Sequence, residues 1–275
     1  MDPIVVEIDA PMVTQQCAAR IVRTIVELLL YHREQIPFTY GAFRTMVKNF
    51  RTNEGDESTE HGMQKIHLRK QQNQAEQMVQ SVDNLFEMID DCFEQNPTVQ
   101  EAMIIFGTTI FTAKEAFVVR LPPIDRNHHG YNHRHALEQH LRQIAMKLTL
   151  SDEVSGNPHV KVPTNVHVLM KIAAVSTLNT PNCGHYSPLD DYKLPVKCPQ
   201  YRITLATTAN RPSSPVSCCK HLKVFQDATT PSASDYPDVV AAEETDNLSC
   251  WLQLNEVVRG FKPTPVKGCF IWTPA

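Results

Sequence analysis

Residues 14–33 read TQQCAARIVRTIVELLLYHR, and this stretch sets the pattern for the rest of the fold. Its apolar residues recur at spacings of three and four, which places them on one face of a helix, while Arg20, Arg23 and Glu27 lie elsewhere around it. A helix with one apolar face gains stability mainly by packing that face on another layer. The stretch therefore predicts a helix of about five turns that covers a hydrophobic core.

Three further helices follow from the same periodicity. Pro37 ends the first helix, and a shorter one is predicted over 39–50. Apolar spacing predicts a third helix over 78–93 and a fourth over 132–150, with Asn132 as its N-cap. The polar run 51–74 is interpreted as a mobile connection or a frayed helix start.

Strands are predicted where β-branched and aromatic residues alternate with polar ones. These segments are 103–106, 116–121, 166–172, 201–206, 220–225 and 249–258. Because helices and strands fall in separate runs, the pattern indicates an α+β fold with helices on one face of a mainly antiparallel sheet. We expect one domain over 1–275, with a second mobile segment at 226–247, where six acids meet no Lys or Arg.

Composition excludes several function classes. The 275 residues carry 26 Lys+Arg against 30 Asp+Glu, and this balance argues against nucleic-acid binding. No two of the nine glycines lie within six residues of each other, which excludes a phosphate-binding loop, a dinucleotide fingerprint and a nucleophile elbow. We expect no cofactor, no metal and no membrane association, and the acidic amino terminus does not resemble a secretory signal.

Two groups of residues leave an enzymatic alternative open. Cys183 and His185 could act as nucleophile and base, although their spacing is also that of a turn. Five histidines between His128 and His140 could hold a metal, although they lack the spacing of a metalloprotease helix. The alternative is thus a small cysteine- or metal-dependent hydrolase.

Six Ser-Pro or Thr-Pro pairs are potential substrates of a proline-directed kinase or simply turns. Their acceptor residues are Thr180, Ser187, Ser214, Thr230, Thr264 and Thr273.

One segment resembles a known family. Residues 28–40, LLLYHREQIPFTY, are similar to the end of the first helix and its Pro-x-x-Tyr exit in the Comet family, the Mad-two-binding proteins of the spindle assembly checkpoint. Further pieces that resemble the family, in the same order, are 104–107 with 114–117, 182–184 with 188–195, Trp251, and 260–262. With gaps, the resemblance runs from Val13 to Lys262.

The resemblance implies a HORMA-like fold, in which three helices back a mixed sheet and a carboxy-terminal segment wraps the body like a safety belt. It implies a non-enzymatic adaptor that binds the closed conformer of Mad-two through the central helix. The adaptor then presents Mad-two to the pachytene-checkpoint AAA+ ATPase, which disassembles the mitotic checkpoint complex and silences the checkpoint. The implied location is the nucleus and cytoplasm, with the spindle or kinetochore as a further site.

Site residues carry over from the resemblance position by position. The Mad-two-binding residues are His32, Gln35, Leu137, His140, Leu141 and Ile144; the ATPase-binding residues are Pro188, Leu189 and Lys193; the belt-packing residues are Trp251 and Phe261. His32 stands where the family has a Gln, and Leu189 where it has a Lys, for which Lys193 or Lys197 could substitute.

Two readings of the central helix remain. The spacing of Leu137, Ile144 and Leu148 is also that of core positions, so His140 and Leu141 are the better surface candidates. A HORMA protein that traps a peptide under its own belt is a further alternative to the adaptor.

Overall fold

The computed structural model describes residues 3–8, 13–52, 62–96, 98–125, 134–156, 160, 162–173, 184–207, 249–265 and 272. Its helices are α1 (Gln15–His32), α2 (Tyr40–Thr52), α3 (Gly62–Gln95), α4 (Arg134–Thr149) and the short α5 (Asp152–Ser155). Its strands are β1 (Ile4–Ile8), β2 (Val13–Thr14), β3 (Val99–Gly107), β4 (Ala113–Arg120), β5 (Ile124–Asp125), β6 (Asn165–Ala173), β7 (Tyr186–Leu189), β8 (Gln200–Thr207), β9 (Ser249–Leu254) and β10 (Val258–Arg259).

Helix α1 forms where the sequence predicts it. The Thr14 hydroxyl accepts a hydrogen bond from the backbone N–H of Cys17 at 3.2 Å and caps the first turn. The apolar face is fully buried, with Ile21, Ile25 and Leu29 in the main core. The helix packs against α3 and α4, so the predicted core-covering role of 14–33 is confirmed.

The strands form a mixed sheet in the order β1-β8-β4-β3-β6-β9-β7. The β1–β8 and β8–β4 pairs are parallel, and the other pairs along this order are antiparallel. Strand β10 continues beyond β9 on the same edge of β6, also antiparallel. The predicted α+β class with a mixed, mainly antiparallel sheet is confirmed and is consistent with a HORMA-like fold.

Both faces of the sheet are covered. Strand alternation places Val166, Val168 and Met170 in the main core under the helices, while Leu169 lies in a smaller cluster on the opposite face. Tyr192 covers this second cluster, and its hydroxyl donates to the Ile110 carbonyl at 2.7 Å. The segment that follows β7 is therefore fixed to the outer face of the sheet.

The structure corrects the extent of α3 and of the first mobile segment. Helix α3 begins at Gly62, well before the predicted start at residue 78, so 62–74 is helical rather than a loose connection. Eight of the 13 residues of 62–74 are Gln, Lys, Leu or Arg, which are good helix formers. The buried face of α3 includes Gln71 in this part and continues with Ala75 and Met78. Residues 53–61, the strand predicted at 220–225 and the segment 226–247 lie outside the described residues.

Two other features differ from expectation. Strand β1 was not predicted, because a five-residue apolar run carries little periodicity; it forms since pairing with β8 buries Val6 and Ile8. The described residues contain four long helices where the resemblance implied three. Within the described ranges, no helix combines the length and the apolar character that crossing a membrane requires.

Candidate partner-binding surfaces

The carboxyl end of α1 is fixed by a buried ion pair. Arg33, the C-cap residue, donates through Nε and Nη2 to the two carboxylate oxygens of Glu115 on β4, both at 2.8 Å. The same guanidinium donates to the backbone carbonyls of Glu153 and Val154 in α5. Because α5 directly follows α4, Arg33 ties the end of α1 to the carboxyl end of the central helix.

His32 lies half-buried at the end of α1, next to Arg33 in the chain. Its ring meets the Tyr31 ring edge-on at a centroid distance of 5.5 Å, and Tyr31 is exposed. Burial, with a smaller effect from the Arg33 charge, lowers the pKa of His32. A neutral imidazole offers one donor and one acceptor, so His32 can make one of the two hydrogen bonds of the Gln amide that the resemblance implies at this position.

Gln35 is fully buried, which corrects its expected place on the contact surface. Its Oε1 accepts from the Thr164 backbone N–H at 2.7 Å, and its Nε2 donates to the Arg33 carbonyl. Its own carbonyl accepts from the Phe261 N–H at 2.8 Å. Gln35 therefore joins the α1 exit to β6 and to the carboxy-terminal segment, and we remove it from the proposed interface.

The core-facing side of α4 holds several of the predicted binding residues. Ile144 is fully buried with Leu148, as its core spacing indicated, so we remove it from the proposed Mad-two-binding residues; Leu141 is half-buried against the main core. His140 is also half-buried, and its Nδ1 has no hydrogen-bond partner among the described residues. The side chain of Leu137 lies outside the described residues.

The solvent face of α4 carries apolar residues that sequence reasoning missed. Met146 is 59% exposed, and Leu150, one turn later, is 76% exposed. The N–H of Leu150 bonds to the Met146 carbonyl at 3.0 Å, so the two side chains follow the helical spacing of i and i+4. A helical wheel centred on the predicted core residues would have found both, since they fall opposite Ile144 and Leu148.

The predicted ATPase-binding residues lie at and just after β7. Pro188 is exposed on this edge strand, opposite Leu252, where a missing N–H is tolerated. Leu189 is half-buried in the second cluster, and Lys193 is exposed after the strand. Thus Pro188 and Lys193 offer accessible surface, whereas Leu189 mainly anchors the segment.

An exposed aromatic residue near this segment was also missed. Phe111 is 70% exposed on a short 3-10 turn, and its ring meets Tyr192 at a centroid distance of 6.0 Å. The turn is held by reciprocal bonds in which the backbone N–H groups of Thr109 and Thr112 each donate to the other residue's hydroxyl. Phe111 is therefore a fixed apolar projection next to the β7 segment.

The two predicted belt-packing residues lie in different clusters. Trp251 is half-buried on the outer face of the sheet, with the Lys171 ammonium 6.0 Å from its ring. Phe261 is buried on the helix side, in ring contact with Phe43 and Trp272. The structure thus does not bring Trp251 and Phe261 together.

Comparison with protein-family models matches the chain to p31comet, described as "Mad1 and Cdc20-bound-Mad2 binding". Mad2 and Mad-two are the same protein. The match covers residues 1–233 and so includes both candidate surfaces. The chain belongs to the p31comet family. A search of curated proteins found no match.

The p31comet family is one of Mad-two-binding adaptors and not a known enzyme family. Of the residues behind the hydrolase alternative, Cys183, His128, His129 and His133 lie outside the described residues, as does the side chain of His135. His185 is described and lies 3.6 Å from the Asp91 carboxylate, with both side chains about half exposed. This exposed pair gives no support to a cysteine-based site.

In this p31comet protein α4 and Pro188 lie at opposite edges of the sheet. Helix α4 packs against α1 and against β1, the first strand, whereas Pro188 lies on β7, the last strand. Six strand intervals of about 4.8 Å separate these edges, a distance of roughly 30 Å.

Proposed function

We propose that this chain is a non-enzymatic adaptor that binds the closed conformer of Mad-two and presents it to the pachytene-checkpoint AAA+ ATPase. The match of residues 1–233 to p31comet carries this proposal, because that family is described by its binding to Cdc20-bound Mad2. The consequence is disassembly of the mitotic checkpoint complex and checkpoint silencing, in the nucleus and cytoplasm.

The solvent face of α4 supports the Mad-two arm of the proposal. Met146 and Leu150 supply exposed apolar area flanked by Arg142, Gln143 and Lys147, the pattern of an apolar interface centre within a polar rim. His32 and Tyr31 extend the proposed surface from the end of α1, which Arg33 holds against α5. Leu141 and His140 are assigned to the border of this surface, because both are half-buried.

The β7 segment supports the ATPase arm. Pro188, Phe111 and Lys193 present an edge proline, a fixed aromatic ring and a cation. Lys193 and the exposed Lys197 can each pair with an acidic residue of a partner, while the exposed Asp190 and Asp191 leave the segment 188–197 without net charge. The separation of Pro188 from α4 by the width of the sheet suits an adaptor that holds both partners at once.

Simultaneous binding of both partners is tested by size-exclusion chromatography. The chain is mixed with closed Mad-two and with the ATPase bound to a non-hydrolysable ATP analogue. A complex of all three proteins is expected. Lys193→Glu should remove only the ATPase, while Lys48→Glu, the same charge reversal on α2, should leave the complex intact. Mutual exclusion of the two partners would contradict the bridging role.

A peptide-trapping HORMA protein remains the second candidate from the resemblance. The carboxy-terminal segment lies across the α1 exit, where the Phe261 N–H bonds to Gln35, and this contact favours a segment held by the chain's own body. We therefore assign the belt-like role to the residues that follow β9 and retain the adaptor as the proposed function.

A further inference from the structure

The carboxy-terminal segment is attached to the helices through a few specific contacts. After β10 the described chain continues without regular structure to residue 265, and Gln71 of α3 donates through Nε2 to the Thr264 carbonyl at 2.7 Å. The same amide nitrogen bonds to the Thr264 hydroxyl. Gln71 is buried, so this pairing satisfies an amide that water does not reach.

Beyond Thr264 the segment has an aromatic anchor. Trp272 is buried, with its ring 5.1 Å from Phe50 and 5.1 Å from Phe261 in centroid distance. Its ring also contacts Phe43 of α2. Thr264 therefore lies between two attachment points, Phe261 on one side and Trp272 on the other.

Thr264 has the sequence of a kinase substrate and an accessible position. It is exposed, and the chain reads Thr264-Pro265-Val266-Lys267, of which the last two residues are used only as sequence since they lie outside the described residues. In five of the six Ser-Pro and Thr-Pro pairs the sequence includes the residue three positions later, and of these five Thr264 alone has a basic residue there. A proline-directed kinase with an acidic pocket selects substrates that have a basic residue at this position.

We propose that Thr264 is a phosphorylation site for a kinase of this class, and that its phosphorylation releases the carboxy-terminal segment from α3. The Thr264 oxygen attacks the terminal phosphorus of a nucleoside triphosphate, the bond to the diphosphate breaks, and the hydroxyl proton passes to the kinase's base. The site lies beyond residue 233, outside the range matched to p31comet. It does not depend on the proposed binding of Mad-two.

Release follows from the surroundings of the hydroxyl. A phosphoryl group carries about −1.5 to −2 charges, and adding it to the Thr264 oxygen requires that oxygen to leave its close contact with the buried Gln71 amide. The Gln71 Oε1 has no hydrogen-bond partner among the described residues and would face the new anion. Arg69 and Lys70 of α3 are exposed, so an ion pair with either one would contribute little to holding the segment.

Trp272 provides a direct readout of release. The chain has two tryptophans, so Trp251→Phe leaves Trp272 as the single reporter, and Trp251→Tyr provides a second background in case the first variant folds poorly. We would treat each with a purified cyclin-dependent kinase, as the proline-directed probe, and ATP. Mass spectrometry then locates the phosphate, and the fluorescence spectrum reports the environment of Trp272.

The expected result is a single phosphate on Thr264 and a shift of Trp272 emission to longer wavelength. Thr264→Ala should accept no phosphate at this position and show no kinase-dependent shift. Ser214→Ala, which removes a Ser-Pro pair with Ser217 at the third position, should behave like the parent. Phosphate found only elsewhere, or phosphorylated Thr264 with unchanged Trp272 emission, would overturn the proposal.

Discussion

Arg33 and Glu115 are 82 positions apart in the chain, yet they form two parallel N–H···O bonds of 2.8 Å with both side chains almost fully buried. The Arg33 guanidinium also lies over the Phe117 ring, with 4.9 Å between its central carbon and the ring centroid. Since Arg33 reaches the backbone of α5 as well, the pair holds together α1, β4 and the end of the α4 region.

Glu115→Gln should destabilise the protein strongly. The substitution leaves the Arg33 charge buried without a counter-ion, and breaking a buried pair in this way costs about 3–5 kcal/mol. Urea unfolding followed by circular dichroism should show a large fall in the midpoint. Glu101→Gln is the matched control, because its 3.7 Å pair with Lys171 is partly exposed and should contribute at most about 1 kcal/mol. Equal midpoints for the two variants would contradict a large contribution of the Arg33–Glu115 pair to stability.

Met146→Glu and Leu150→Glu should each weaken Mad-two binding without loss of stability. Both side chains are exposed, so the substitutions leave the core intact, while removing an interface anchor costs about 2 kcal/mol or more in binding, roughly thirtyfold in Kd. Isothermal titration calorimetry against closed Mad-two measures the effect. Gln77→Glu, which adds the same charge at an exposed position of α3, should bind normally. Unchanged Kd for both α4 variants would remove this face from the interface.

Gly260→Ala should destabilise the protein, because a Cβ there would clash with the Gln35 Oε1 and lie 2.8 Å from the Pro163 Cβ. Overpacking of this kind typically costs about 1–3 kcal/mol. Gly41→Ala on α2 meets nothing within 4 Å and should leave stability unchanged or slightly raised. Thermal unfolding of the two variants compares them directly, and a stable Gly260→Ala protein would show that the Gln35 contact is not tight.

Acid should weaken the fold through His167. Burial lowers the pKa of this histidine, and the nearby backbone of Gly107 and Thr108 only partly offsets the effect. The unfolded state therefore binds a proton more readily, so the His167 contribution is fully present above the ordinary pKa of about 6.5 and is lost as pH falls below it. Urea midpoints between pH 7.5 and pH 5.5 measure this loss. His167→Met should reduce the pH dependence, and an unchanged slope in that variant would assign it to other groups.

Local periodicity predicted α1, α2 and α4 to within about two residues, because each has an apolar face that its own sequence defines. It also marked Ile144 and Leu148 as candidates for the core. Periodicity did not predict the start of α3, because its first turns are polar. Without an apolar face, helix propensity alone predicts a helix only weakly.

The burial of Gln35 could not be predicted from its neighbours. Its partners, Thr164 and Phe261, lie more than a hundred positions away, so only the folded chain brings them together. The same holds for Arg33 and Glu115, whose sequence neighbours give no sign of a buried pair. Short segments that resemble the Comet family predicted membership of that family, and the family match confirms it.

The most direct test of the adaptor account is size-exclusion chromatography of this chain mixed separately with Mad-two locked in its closed and in its open conformer. A partner distinguishes two conformers only through a difference in affinity, so the account predicts co-elution with the closed form alone. No complex with closed Mad-two, or equal complexes with both forms, would contradict it.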